Sequence, residues 1–176
     1  MVESMPLETT RLLLRPPVKE DTDEIVAIAD DWDLLRQTAR MPHPYTAADA
    51  KFFFEQVLPN EPNWAIVWKP TARLIGVIGL APATDGNAAA IGYYVGRDYW
   101  GLGVATEAGR AIVRVGIESF GYRKLTARHF ADNPASGRVL AKLGFTVVGG
   151  SSHPCRAEGR SRAAVELELT NTGAYE

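Results

Sequence analysis

Apolar residues change their period several times along this chain, and each change marks a predicted element. Leu7 to Arg15 (LETTRLLLR) reads as a first strand, with Leu12, Leu13 and Leu14 as a short apolar run and Pro16 and Pro17 as its end. Asp21 to Ala29 then switches to helical spacing. Ile25, Ile28 and Ala29 form a stripe, and Asp21 with Glu24 resembles a capping box. Asp31 to Ala39 reads as a second helical piece, closed by Pro42 and Pro44. Thr46 to Leu58 reads as a third helix with Thr46 as N-cap and Phe53 and Val57 inward. Strands follow at Trp64 to Trp68, Arg73 to Ala81 and Ala88 to Val95. Thr71-Ala72 joins the first two, and Asp85-Gly86-Asn87 supplies the next turn.

The stretch Tyr99 to Ala108 (YWGLGVATEA) reads as a glycine turn running into a long helix. Gly101 and Gly103 lack a Cβ, so the backbone can bend sharply there or approach a ligand closely. Val104, Ala105, Ala108, Ile112 and Val115 recur at helical spacing, and Gly121 supplies a stop after Phe120. Lys124 to Ala131 reads as a strand. Asn133 to Leu143 reads as a short helix with Asn133 as N-cap and Pro134 at its first position, ended by Gly144. Phe145 to Val148 and Ala163 to Thr170 read as a closing antiparallel pair across a polar loop. The step from Ala88–Val95 through the long helix to Lys124–Ala131 predicts a parallel strand pair with a right-handed crossover. The glycine turn falls at the carboxyl end of its first strand, where such sheets bind ligands. A helix start there offers unpaired N–H groups and partial positive charge to a phosphate. Taken alone, the two glycines fit a tight structural turn equally well.

Composition narrows the partners. The 176 residues are 46% hydrophobic and 23% charged, ordinary for one globular domain, 1–176. A net charge of −2 gives no global field for nucleic acid, so an anionic ligand must be held by local donors. Cys155 is the sole cysteine, which excludes an internal disulfide and a cysteine metal cluster. No run approaches the length of a membrane span, and no signal-peptide core opens the chain. The expected setting is the cytoplasm, with no metal, no nucleic acid and no membrane partner.

Four segments together resemble the GNAT acetyltransferase superfamily, and within it the RimJ/RimL-like branch of ribosomal-protein N-terminal acetyltransferases. They are LETTRLLLRP, IGYYVGRDYWGLGVATEA, ADNPASGRVLAKLGF and VELELT, in that order from Leu7 to Thr170. The superfamily pattern Gln/Arg-x-x-Gly-x-Gly/Ala falls on Trp100, Gly101, Leu102, Gly103, Val104 and Ala105, with Trp100 in place of Gln or Arg. The resemblance implies an α/β (α+β) GNAT fold, with a mixed sheet of about six to seven strands, helices on both faces and an acetyl-CoA cleft after the fourth strand. It implies that N–H groups from Leu102 to Thr106 hold the CoA pyrophosphate, and that Tyr94 and Val95 pair with the pantetheine amides like an extra strand. A backbone N–H of Val95 or nearby would polarise the thioester carbonyl.

Asn133 and Ser136 match the branch's Asn-x-x-Ser. Asn133 can cap its helix, and the resemblance implies that it also bonds the cofactor. Ser136 is either an ordinary first-turn residue or, as the resemblance implies, a hydroxyl near the thioester sulfur that helps the thiolate leave. Leu140 stands where many relatives place a tyrosine acid. Arg97, Arg138 and Lys142 are candidate phosphate partners, and each reads equally well as solvated surface charge.

The implied reaction moves acetyl from acetyl-CoA to a primary amine: a protein N-terminus, a lysine or a small molecule. An α-amino group titrates near pH 8, so a strong enzymic base is optional. The sequence offers His129, His153, His43 and Glu158 as base candidates without choosing among them. Tyr93 and Trp64 read either as lining of the acceptor cleft or as core. The competing function is a non-catalytic acyl-CoA-binding or sensing module on the same fold. A homodimer is compatible with the sequence, which does not specify one.

Overall fold

The computed structural model describes residues 4–170. One mixed sheet of eight strands runs through it in the order β1-β2-β3-β4-β5-β6-β8-β7. The strands are β1 (Leu7–Glu8), β2 (Leu12–Arg15), β3 (Asn63–Trp68), β4 (Arg73–Pro82), β5 (Ala88–Val95), β6 (Lys124–Phe130), β7 (Thr146–Cys155) and β8 (Arg160–Thr170). The helices are α1 (Thr22–Ala29), α2 (Trp32–Leu35), α3 (Ala47–Phe52), α4 (Val104–Arg114) and α5 (Pro134–Lys142). Both α3 and α4 continue through a wider π turn, at Phe53–Val57 and Val115–Ser119.

The sheet separates two cores. On one face α4 packs with Leu12, Leu14, Ile78, Leu80, Ile91 and Leu125. Its buried Val104, Ala108 and Ile112 lie one turn apart, as the spacing predicts. On the other face Ile25 and Ala29 of α1 and Ala50 of α3 close over Ala65, Leu74 and Val77. Trp64 is fully buried and donates its Nε1–H to Met5 O at 2.9 Å, so it is a core residue and lines no cleft. No described helix is long and apolar enough to cross a membrane.

Several elements differ from the sequence expectation. The first strand is two: residues 9–11 reverse the chain, and Leu7 pairs with Leu14. That break makes eight strands where six or seven were expected. Asp21 makes no side-chain cap to α1. Its buried carboxylate instead takes both guanidinium arms of Arg15, at 2.8 and 2.7 Å, and the Val18 amide at 2.8 Å. The second helical piece shrinks to the four residues of α2, where Asp31 accepts from Leu34 N–H at 3.1 Å. The polar loop between the last strands contracts to residues 156–159, because β7 and β8 pair from Thr146–Glu168 to Cys155–Arg160.

Ile112→Ala should cost about 2–5 kcal/mol of unfolding free energy in a denaturant titration, because Ile112 is wholly buried under the sheet. Phe52→Ala, at a side chain 57% exposed, should stay within about 0.5 kcal/mol of the parent.

Candidate active site

The site begins with a failure of strand pairing. β5 and β6 pair in parallel only at Ala88–Lys124, Ala89–Leu125 and Ala90–Thr126, and then part. Each keeps its other neighbour: β5 pairs β4 as far as Val95, and β6 pairs β8 as far as Phe130. The facing edges beyond Ala90 and Thr126 therefore bound a wedge in the middle of the sheet. Gly96 N–H bonds Ile75 O at 2.7 Å, and Ala83 N–H bonds Ala88 O at 2.8 Å. With the unbroken β4–β5 register, even-numbered residues of β5 aim their backbone groups at β4. Ile91, Tyr93 and Val95 aim theirs into the wedge. The Val95 carbonyl accepts Trp100 Nε1–H at 2.6 Å, while its N–H points into the gap. Tyr94 was expected to pair with pantetheine beside Val95. Its amide and carbonyl are turned to β4, and its side chain packs on the second core. Burial pushes the Tyr94 phenol far above its ordinary range.

The glycine turn stands at the mouth of this wedge. Gly101 and Gly103 have φ of +76° and +80°, the left-handed region that side chains avoid, and Gly103 is the N-cap of α4. The first amide of α4 to reach a backbone acceptor is Glu107 N–H, on Gly103 O at 3.0 Å. Val104, Ala105 and Thr106 precede it and carry the orphan N–H groups of a helix start. Trp100 and Leu102 are exposed at the rim.

Sequence reasoning missed Arg11 and Glu107 here. Glu107 Oε1 accepts Thr9 Oγ1–H at 2.6 Å and Arg11 N–H at 2.8 Å, and Oε2 accepts Arg11 Nε–H at 2.7 Å. Arg11 Nη1 donates to Leu102 O at 2.9 Å. A Cβ on Gly103 would lie 3.5 Å from Arg11 Nη2. The β1–β2 turn is thus buckled to the first turn of α4, and a guanidinium stands against the glycine turn. Partial burial opposes the charge on Glu107, but the bonds from Thr9 and Arg11 outweigh it and hold its carboxyl below the usual range.

Across the wedge, Asn133 caps α5: its Oδ1 accepts Ser136 N–H at 3.2 Å. Ser136 Oγ lies 2.8 Å from Tyr93 Oη, so a side chain of β5 spans the wedge to α5. Tyr93 packs partly into the first core, on the face opposite Tyr94. Leu140 is buried in that core, so α5 itself offers no phenol. Arg138 and Lys142 are exposed on α5 and carry no ion pair among the described residues. Arg97, in contrast, is committed. It donates to Asp31 at 2.9 and 2.7 Å and reaches Asp33 at 2.6 Å, tying the turn before Trp100 to α2.

The base candidates do not converge on Ser136. His43 lies 3.8 Å from Asp30 and edge-on to Trp32. His153 is on β7, with Nε2 2.7 Å from Arg128 Nη1. Burial and that guanidinium keep its pKa below the ordinary histidine value. Glu158 is enclosed by Arg160 at 2.7 Å and Arg162 at 3.2 Å. His129 alone lies beside α5. Its Nδ1 is 2.8 Å from Phe130 O, which accepts only, so Nδ1 carries the proton. Its Nε2 rests under Gly137, where a Cβ would come within 3.0 Å. Among the described residues no group of His, Cys, Asp or Glu is arranged to hold a metal ion.

A wedge of free strand edge beside an amide-lined glycine turn suits a long ligand with amides at one end and phosphates at the other. Comparison with known proteins agrees. The Acetyltransferase (GNAT) domain model matches residues 11–146. The chain is 32% identical over 144 residues to the uncharacterized N-acetyltransferase YoaA of Bacillus subtilis, covering 79% of this chain and 81% of that protein. The ribosomal-protein-S5-alanine acetyltransferase of Vibrio fischeri superposes with a TM-score of 0.82 at 18% identity, over 96% of this chain and 97% of that one. Spermidine N-acetyltransferase of Vibrio cholerae, solved with CoA and spermine, superposes with a TM-score of 0.79 at 14% identity, over 93% and 98%. The chain belongs to the GNAT acetyltransferase family. It is an acetyltransferase, and its acyl donor is acetyl-CoA.

Two outcomes follow from the Arg11–Glu107 buckle. Arg11→Ala should weaken acetyl-CoA binding about ten-fold in a calorimetric titration, since an unneutralised carboxylate then stands in the first turn of α4 beside the glycine turn. The second concerns acid stability. The folded Glu107 carboxyl titrates below its unfolded value of about 4.3, so its charge stabilises the fold above that pH and loses its effect as pH falls through the folded value. Thermal unfolding between about pH 6 and pH 3 should therefore show a smaller acid-induced loss for Glu107→Gln than for the parent.

Proposed function

We propose that this protein transfers the acetyl group of acetyl-CoA to a primary amine by direct attack on the thioester, with no acyl-enzyme stage. The observation that carries this reading is the Val95 N–H, which points into the wedge beside the glycine turn while Ser136 stands on the opposite rim. The pantetheine arm would lie along the free edge of β5, and the pyrophosphate against the amides of residues 102–106, with Arg138 and Lys142 as further cations. Val95 N–H would polarise the thioester carbonyl. Ser136 Oγ–H would meet the sulfur.

The amine attacks as the free base, its nitrogen joining the carbonyl carbon as the C–S bond breaks. The electron pair of that bond goes to sulfur, and the proton lost by nitrogen goes to solvent. Since no histidine or carboxylate among the described residues hydrogen-bonds Ser136, an amine that is partly neutral at working pH suits the site. A protein N-terminus, as in the RimJ/RimL-like branch, a lysine or a small-molecule amine are the acceptor classes. Neighbours named for a ribosomal protein and for spermidine support keeping both protein and small-molecule acceptors in view.

Calorimetric titration with acetyl-CoA and with CoA should show binding by the wild type and its loss in Gly103→Trp. A panel of N-terminal peptides, lysine peptides and polyamines, read by thiol release, should then give turnover. Binding without turnover on the whole panel would make the protein an acyl-CoA-binding module. A folded wild type that binds neither ligand would overturn the assignment of the wedge.

A further inference from the structure

The contact between Tyr93 and Ser136 has a consequence for the leaving group. Ser136 is held at its amide by Asn133 and at its backbone by α5, so rotation of its hydroxyl is its main remaining freedom. Its oxygen lies 2.8 Å from the Tyr93 phenol. A phenol is the stronger donor and the poorer acceptor of the two, which favours Tyr93 Oη–H as donor and Ser136 Oγ as acceptor. With one lone pair taken, the Ser136 proton is turned away from the phenol. Tyr93 comes from β5, two residues before Val95 on the wedge edge, and Ser136 is only half-buried, so its proton is left for a ligand.

We propose that Tyr93 is a positioning residue that orients the Ser136 hydroxyl to donate to the sulfur of the departing CoA thiolate. The inference rests on the acetyl-CoA site proposed above. Neither oxygen gives up its proton: Ser136 keeps it while stabilising the charge on sulfur, and Tyr93 keeps its own. Burial supports this, since it pushes the phenol up to about 12 against the opposing effect of the Ser136 bond, so the phenol stays protonated at any working pH. Tyr93 thereby takes the place of a helix-borne tyrosine, which Leu140 rules out, by a route from the neighbouring strand. A partly buried tyrosine also needs a hydrogen-bond partner simply to satisfy its hydroxyl. The test must separate the two roles.

The probe is CoA itself, which requires no knowledge of the acceptor. Its binding to wild type, Tyr93→Phe, Ser136→Ala and the double variant is measured by calorimetry, and the thiol of the bound CoA is titrated by thiolate difference absorbance. In the wild type the bound thiol should titrate about one pH unit below free CoA. Each single variant should lose most of that drop, and the double variant should lose no more than either one. Tyr93→Phe keeps the ring and its packing, so CoA affinity should stay within about two-fold of wild type. With a competent amine, kcat should fall about ten-fold while the KM for acetyl-CoA holds. A wild-type thiol value in Tyr93→Phe, additive effects in the double variant, or no drop in the wild type would each overturn the assignment. Failure of the acetyl-transfer reading looks different: the thiol shift and its loss would persist while no amine is acetylated.

Discussion

The parting of β5 from β6 is the constraint on which the rest of the molecule is built. A sheet interior normally satisfies every backbone N–H and C=O, and leaving strand edges unpaired in mid-sheet is costly. This fold confines the gap to the residues after Ala90 and holds it open from both sides. β4 grips β5 along its whole length, and β8 grips β6 in the same way. Trp100 reaches back to cover the Val95 carbonyl, and Tyr93 reaches across to α5. The edge is thus kept ready for a ligand that carries amides of its own.

Beside the wedge, α4 faces an electrostatic conflict. Its first turn is where an anion gains from the helix dipole, yet Glu107 places a permanent negative charge there. Arg11 resolves it by neutralising the carboxylate, and its guanidinium lies against Leu102 and Gly103. The same bonds fasten the β1–β2 turn to the start of the crossover helix. One ion pair therefore serves the fold and the glycine turn together.

How much of this could be read from the sequence depends on the range of the signal. Val104, Ala108 and Ile112 repeat at helical spacing, so α4 was legible, and Gly101 and Gly103 marked the turn before it. Asn133 and Pro134 announced the start of α5. The break at residues 9–11 had no glycine or proline to mark it, because Thr9 and Arg11 are held by a carboxylate 96 or more positions away. The extensions of β7 and β8 were hidden for another reason. β7 is an edge strand with nearly all its side chains in solvent, so no apolar alternation records its pairing. In the site, local pattern marked Asn133 as a cap and Ser136 came only from the resemblance, while Tyr93, which bonds Ser136, was read as lining or core. Arg97 looked like any surface base, and Asp31 and Asp33, which claim it, belong to a different helix.

The two cores on opposite faces of the sheet carry an implication for how such a chain can change over generations. The glycine turn, α4, α5 and Tyr93 all belong to one face, while α1, α3 and Tyr94 belong to the other. Beyond the sheet backbone, the α2 side meets the glycine-turn side through Arg97, which Asp31 and Asp33 hold. Mutational drift outside Asp31 and Asp33 can therefore repack α1 to α3 without disturbing the amides that line the wedge. The two faces can thus drift at different rates, an arrangement in which one side of the sheet is repacked while the other is inherited intact.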